Sequence, residues 1–341
     1  MRIDAFNHFF PERYFQKMEE VAGDLKDMFR RTRAIKSIHD LDERFRVMDM
    51  FDDYAQVISL PAPSLETLSK GNPQVALELA RIGNDGMAEL VAKYPDRFPA
   101  FVAHTPLTAP DAGVAETERA IKELGAIGTQ IFSNVGGKPL DRPEFEPFFA
   151  SMNKLGKPIF LHPARGANHP DYLDEKKSLY EIWWTFGWPY ETSVAMARLV
   201  FSKLLDKYSN VKVIAHHLGA MVPYFEGRVG PGWDQLGKRT SDEDYFSLLK
   251  SLKKRPLDYF KQDFYADSAV FGSRPATVCG LEFYGVDHVV FASDCPFDPE
   301  GGPGYIRETI KIIDSLDISK EDREKIYFRN LEKITGHRFV K

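Results

Sequence analysis

The stretch Val211-Lys212-Val213-Ile214-Ala215-His216-His217-Leu218-Gly219-Ala220 decides the fold. It is a β-branched run of strand length that stops at two histidines and a glycine. A strand that delivers a titratable side chain at its C-terminal end, just before the chain turns, is how barrel enzymes place catalytic groups. Working outward, three other short apolar runs end the same way: Ile3-Asp4-Ala5-Phe6-Asn7-His8, Pro158-Ile159-Phe160-Leu161-His162-Pro163, and His288-Val289-Val290-Phe291-Ala292-Ser293-Asp294. A fifth, Pro99 to His104, shares the pattern. Strands from remote parts of the chain that all finish on His or Asp describe one site built at one end of one fold.

Helical patterns fill the intervals. Asp40-Leu41-Asp42-Glu43 reads as a capping box, and Leu41, Phe45 and Met48 mark a helical stripe. Further helices are expected over Pro73 to Lys93, from Asp111 to Gly125, over Glu144 to Leu155 before Gly156, over Glu191 to Lys207, and over Arg274 to Phe283. Glu12 to Lys36 reads as helix plus loop, and Asn168 to Tyr190 as an irregular aromatic segment. Strands near positions 3, 57, 101, 129, 159, 213, 265 and 290 give about the eight that a distorted (β/α)₈ barrel needs. No linker or low-complexity tract divides the chain, so residues 1–341 are expected to form one domain. A doubly wound open sheet is the alternative, but no glycine-rich phosphate fingerprint follows the first strand.

Composition narrows the function classes. Of 341 residues 43% are hydrophobic and 28% charged, and the formal net charge is −5. That charge argues against a nucleic-acid groove or an anionic membrane as partner. No apolar run approaches a membrane span, and the opening residues lack the regions of a signal peptide. Cys279 and Cys295 are the only cysteines and have no zinc-ribbon spacing, which suits a reduced, cytoplasmic setting. The 26 phenylalanines would suit a pocket for a planar substrate, or a core. The expected partner is a small-molecule substrate, with a homo-oligomer left open.

Histidine and carboxylate ligands from different strand ends are a natural way for a barrel to hold a divalent metal, zinc or manganese. A lone histidine at a strand end is more often structural; its recurrence at His8, His162 and His217, with Asp294, argues otherwise. His216 is read as structural, because neighbours on a strand face opposite sides.

The chain resembles the amidohydrolase superfamily, in the branch containing aminocarboxymuconate-semialdehyde decarboxylase and γ-resorcylate decarboxylase. The resemblance rests on Asn7-His8-Phe9-Phe10-Pro11, Arg44 to Asp49, Leu161-His162-Pro163, Glu191-Thr192, His217-Leu218-Gly219 through Pro223, and Ser293-Asp294-Cys295-Pro296. It implies one divalent metal, zinc or manganese, held by His8, His162 and Asp294, with His217 and Asp294 as catalytic groups. Arg44 resembles the family arginine that reaches a substrate carboxylate. Arg165 follows His162 closely enough to reach the pocket, Trp184 and Trp188 could stack on an aromatic substrate, and His104, which ends another strand, is a candidate for the site as a substitute metal ligand or a substrate contact.

Two departures stand out. The family's first strand carries His-x-His or Glu-x-His, whereas here Phe6 precedes His8, and Asn7 points to the other face. Ala220 stands where decarboxylases of the branch often have a glutamate. The expected activity is non-oxidative decarboxylation of a small carboxylated or β-dicarbonyl, aromatic-type compound. Hydrolysis by metal-activated water is the alternative, and a metal-free barrel that binds without turnover is the reading from another class.

Overall fold

The computed structural model describes residues 1–23 and 27–340. Its strands are β1 (Arg2–His8), β2 (Tyr54–Ser59), β3 (Ala100–Phe101), β4 (Ala103–His104), β5 (Thr129–Phe132), β6 (Asn134–Val135), β7 (Lys138–Pro139), β8 (Ile159–His162), β9 (Val213–Ala215), β10 (Phe264–Asp267) and β11 (Val289–Val290). One sheet runs β1-β2-β3 and a second β11-β10-β9-β8-β5-β4, all parallel, while β6 and β7 form a separate antiparallel pair. β3 and β4 are one run broken at Val102, whose N–H still donates to Ile58 O at 2.9 Å. On the other side Ala5 N–H donates to Phe291 O and His8 N–H to Cys295 O, both at 2.8 Å. These bonds close the two sheets into a barrel whose staves match the expected strand positions.

Strands buried on both faces cannot show simple alternation, since helices cover the outside and side chains fill the inside. Every residue of β2 and β8 is accordingly buried. Helices form where local signals predict. The Asp40 carboxylate accepts from Glu43 N–H at 3.1 Å and starts the helix Leu41–Met48. Asn72 caps Pro73–Lys93, and Gly156 takes the left-handed conformation after Glu146–Leu155.

Three expectations need correction. The helix expected over Glu191 to Lys207 is Gly187–Phe201 followed by a short turn, Leu204–Lys207, because Lys203 at φ 65° breaks it. The stripe on Leu41–Met48 is wider than expected: Arg44 and Val47 are buried beside Met48, while Leu41 and Phe45 pack against the core partly buried. The segment Glu12 to Lys36 contains helices Glu12–Ala22 and Met28–Arg33, and its residues Asp24, Leu25 and Lys26 lie outside the described residues.

Candidate active site

At the C-terminal end of the barrel the strands deliver a buried cluster of imidazoles. His8 ends β1 opposite Ser59, and its Nδ1 lies 3.1 Å from Ser59 Oγ. The serine hydroxyl donates to Asn7 O at 2.8 Å, so His8 Nδ1 must be the donor between them. His162 ends β8 and donates from Nδ1 to Pro163 O at 2.7 Å. His216, just past β9, has its Nδ1 2.5 Å from Asp267 Oδ2. Asp267 ends β10 and is itself fixed, its Oδ1 accepting from the N–H groups of His217 at 3.1 Å and Ala269 at 3.0 Å. All three rings therefore have Nδ1 occupied and leave Nε2 free, the arrangement that outer partners impose on metal-binding histidines.

The inner nitrogens of His8 and His216 converge on Asp294, and His217 approaches its other oxygen. His8 Nε2 is 3.1 Å and His216 Nε2 3.4 Å from Asp294 Oδ1, and His217 Nε2 is 3.7 Å from Oδ2. Potential ligand atoms of His8, His162 and His216 lie within 4.8 Å of one another, as do those of His216, His217 and Asp294. Burial lowers the pKa of His8 and His217 and takes His162 well below the ordinary value. At His216 burial opposes the charge, but Asp267 and Asp294 outweigh it and raise the pKa to about 9. Burial would raise Asp294, yet hydrogen bonds from His216, His217 and His8 hold it well below the carboxylate range. A divalent cation replacing the proton shared with Asp294 would meet imidazole nitrogens and a carboxylate turned toward one small space, the donor types that zinc and manganese accept. The buried Nε2 atoms of His8 and His217 have no other hydrogen-bond partner.

His216 is where the structure differs most from expectation. It was placed on the far strand face; instead its ring lies beside that of His217, centroids 3.7 Å apart. The strand stops at Ala215, and His217 (φ 55°, ψ 47°) and Leu218 (φ 56°, ψ 37°) enter left-handed conformation, so alternation no longer applies. Phe6 points into the same cluster, its ring 4.3 Å from that of His216, 5.2 Å from His8 and 6.0 Å from His162.

The expected substrate-side residues divide. Arg44 is fully buried under the site, with Nη1 2.8 Å from Cys295 Sγ, Nη2 donating to His8 O, and the guanidinium over Phe9. His104 is buried against Phe132, neither ring nitrogen is hydrogen-bonded, and burial takes its pKa down to about 3. Arg165 and Trp188 line a cavity of about 1000 Å³. The Arg165 guanidinium pairs with Glu191 at 3.1 Å, and Trp188 Nε1 donates to Arg165 O at 3.0 Å. The cavity's inner wall includes Phe132 and Trp188, whose rings sit 4.8 Å and 5.6 Å from His162. Asp267 was not singled out beforehand, although it ends a strand on a carboxylate as Asp294 does its own run.

The sequence model of the amidohydrolase family matches residues 3–334. The chain is 30% identical over 302 residues to γ-resorcylate decarboxylase from Rhizobium sp., covering 86% of each protein. It is 30% identical over 274 residues to 2-amino-3-carboxymuconate-6-semialdehyde decarboxylase from Dictyostelium discoideum, covering 80% of this chain and 71% of the relative. Among solved structures, it is similar to dihydroxybenzoic acid decarboxylase from Polaromonas sp. with bound manganese and the inhibitor 2-nitroresorcinol. That likeness has a TM-score of 0.78 and 27% identity, and covers 98% of this chain and 96% of the other. Barrel, buried His/Asp cluster and sequence thus agree, and the chain belongs to the amidohydrolase family.

Proposed function

We propose that this protein is a metal-dependent carboxy-lyase that removes carbon dioxide from a small hydroxylated aromatic carboxylate. The observation that carries the reading is the buried cluster in which His8 Nε2 faces Asp294 Oδ1 at 3.1 Å and the ligand atoms of His8 and His162 lie within 4.8 Å of each other, beside an aromatic-walled cavity. The decarboxylases to which the chain is similar support it. His8, His162 and Asp294 would hold the metal, manganese or zinc; manganese is the ion bound in the Polaromonas structure. When bound, the metal supplies positive charge to hold substrate oxygens.

The protein's own groups do the rest. Phe132 and Trp188 hold the aromatic ring edgewise to His162, and Arg165, paired with Glu191, stands in the wall to orient an anionic group. Asp294 and His217 face each other at 3.7 Å and together handle the proton. A proton placed on the ring carbon that bears the carboxylate allows the C–C bond to break. Its electron pair returns to the ring and carbon dioxide leaves, so substrate carboxylate plus one proton gives arene plus carbon dioxide.

The test is incubation of manganese-loaded protein with 2,6-dihydroxybenzoate and related ortho-hydroxybenzoates in deuterated water. Expected are carbon dioxide release and one deuterium on the product carbon, both lost on chelation and regained with manganese. His217→Ala should lower kcat by about 10²–10⁴-fold while metal stays bound. Cleaved product without carbon dioxide would replace the reading with hydrolysis.

A further inference from the structure

The first strand of this chain gives a metal one imidazole, from His8, where its neighbour two positions earlier is a phenylalanine. A ring without a lone pair cannot ligate, and Phe6 is fully buried among the imidazoles of the cluster. What lies against that ring is informative. The closest imidazole to Phe6 is that of His216, edge-on at 4.3 Å, and His216 shares the Asp294 oxygen with His8. We propose that His216 supplies the metal ligand that residue 6 does not, giving a centre of His8, His162, His216 and Asp294, with Asp267 as the residue that positions His216.

Three observations carry this. First, His216 has the attachment expected of a ligand on its outer side: a fully buried carboxylate, Asp267, held by two backbone N–H groups, accepts from Nδ1 and aims Nε2 inward. A histidine serving only an Asp267 ion pair would not need its second nitrogen directed at the oxygen that His8 also faces. Second, the left-handed turn at His217 and Leu218 lets both members of the doublet face the same side. His216 can enter the donor set while His217 remains beside it on the other oxygen of Asp294. Third, the four donors come from the ends of four separate staves, and the ligand atoms of the three imidazoles lie within 4.8 Å of one another. Three nitrogens and one carboxylate oxygen match the donor types that zinc and manganese accept. The ligand has changed strands: a nitrogen lost at β1 is recovered after β9.

The inference rests on the reading that the chain binds a divalent metal, and the experiment separates the two. Manganese binding is measured by the paramagnetic resonance signal of the free ion for wild type, His216→Ala, Asp267→Asn, His217→Ala and the double variant Phe6→His/His216→Ala. Circular dichroism and melting of each protein confirm folding. Wild type should bind about one ion per chain, His216→Ala at least about 100-fold more weakly, and Asp267→Asn about 10–100-fold more weakly. His217→Ala should stay within a few-fold of wild type. The double variant should regain most of the affinity, because imidazole at residue 6 meets the same space. Should His216→Ala fail to fold, His216→Gln keeps a hydrogen bond to Asp267 and reads the same loss. A folded His216 variant with wild-type affinity overturns the inference and leaves the metal reading intact. A wild-type protein that binds no manganese or zinc overturns both. Loss confined to His217→Ala, or a folded double variant that recovers nothing, overturns the exchange of residue 6 for residue 216.

Discussion

Asp4 shows how much polarity the first stave buries. It is fully enclosed, accepts from Tyr54 Oη at 2.5 Å and Ser293 N–H at 3.1 Å, and receives the Ser293 hydroxyl. Burial outweighs these bonds and raises its pKa to about 6. Between the ordinary carboxyl pKa of 3.8 and this value, the folded state therefore holds a proton that the unfolded state releases. Asp4's contribution is most favourable below about pH 4 and is lost as pH rises through about 6, by about 3 kcal/mol for a shift of this size. Asp4→Asn removes the titration. Urea unfolding of both proteins between pH 4 and 7 should show the wild type losing stability relative to the variant by that amount; parallel curves would contradict it. At this scale the sequence was partly readable. His8, His162, His217 and Asp294 were found because each stands where an apolar run stops. Arg44 lies deeper than its sequence shows, because nothing local says that a guanidinium on a charged helix will turn under the barrel. Its partners, His8 O and Cys295 Sγ, are far away in sequence.

At the scale of elements, the turn after β9 organises the site. His217, Leu218 and Gly219 are consecutively left-handed, with φ of 55°, 56° and 71°. Left-handed backbone costs a residue with a side chain, and such conformations gather at functional sites. Gly219 has a second constraint, since a Cβ there would collide with the Tyr284 hydroxyl. Gly219→Ala should therefore destabilise the protein by about 3 kcal/mol, from backbone strain and overpacking together. The midpoint of denaturant unfolding measures it, and a change below about 1 kcal/mol would mean that the turn relaxes freely. This turn also explains the error over His216. Strand alternation is a sound rule inside a strand, and β9 ends at Ala215, one residue before the doublet. Helix ends were easier, since Asp40, Asn72 and Gly156 act through bonds to their own neighbours.

For the whole molecule, the strand count and parallel order were legible because each β-branched run between helices is a local signal. The closure between β1 and the run beyond β11 was not, since its bonds join the two ends of the chain. Metal binding should act across this architecture. An ion held by side chains from β1, β8 and the segments after β9 and β11 binds only the folded barrel, so it stabilises by mass action. Manganese at about 100 times its dissociation constant should add about 3 kcal/mol and raise the melting temperature by a few degrees, and chelation should reverse it. A melting temperature indifferent to metal would show that no such bridge exists.

The seam has a temporal consequence. His8 Nε2 and Asp294 Oδ1 face each other across it at 3.1 Å, yet almost the whole barrel lies between them in sequence. During synthesis the first of these residues leaves the ribosome long before the second is made. Until residue 294 is made, then, His8 lacks the carboxylate that faces it in the folded barrel. The centre is assembled by the last stave to arrive, so a chain interrupted before residue 294 would not sequester metal.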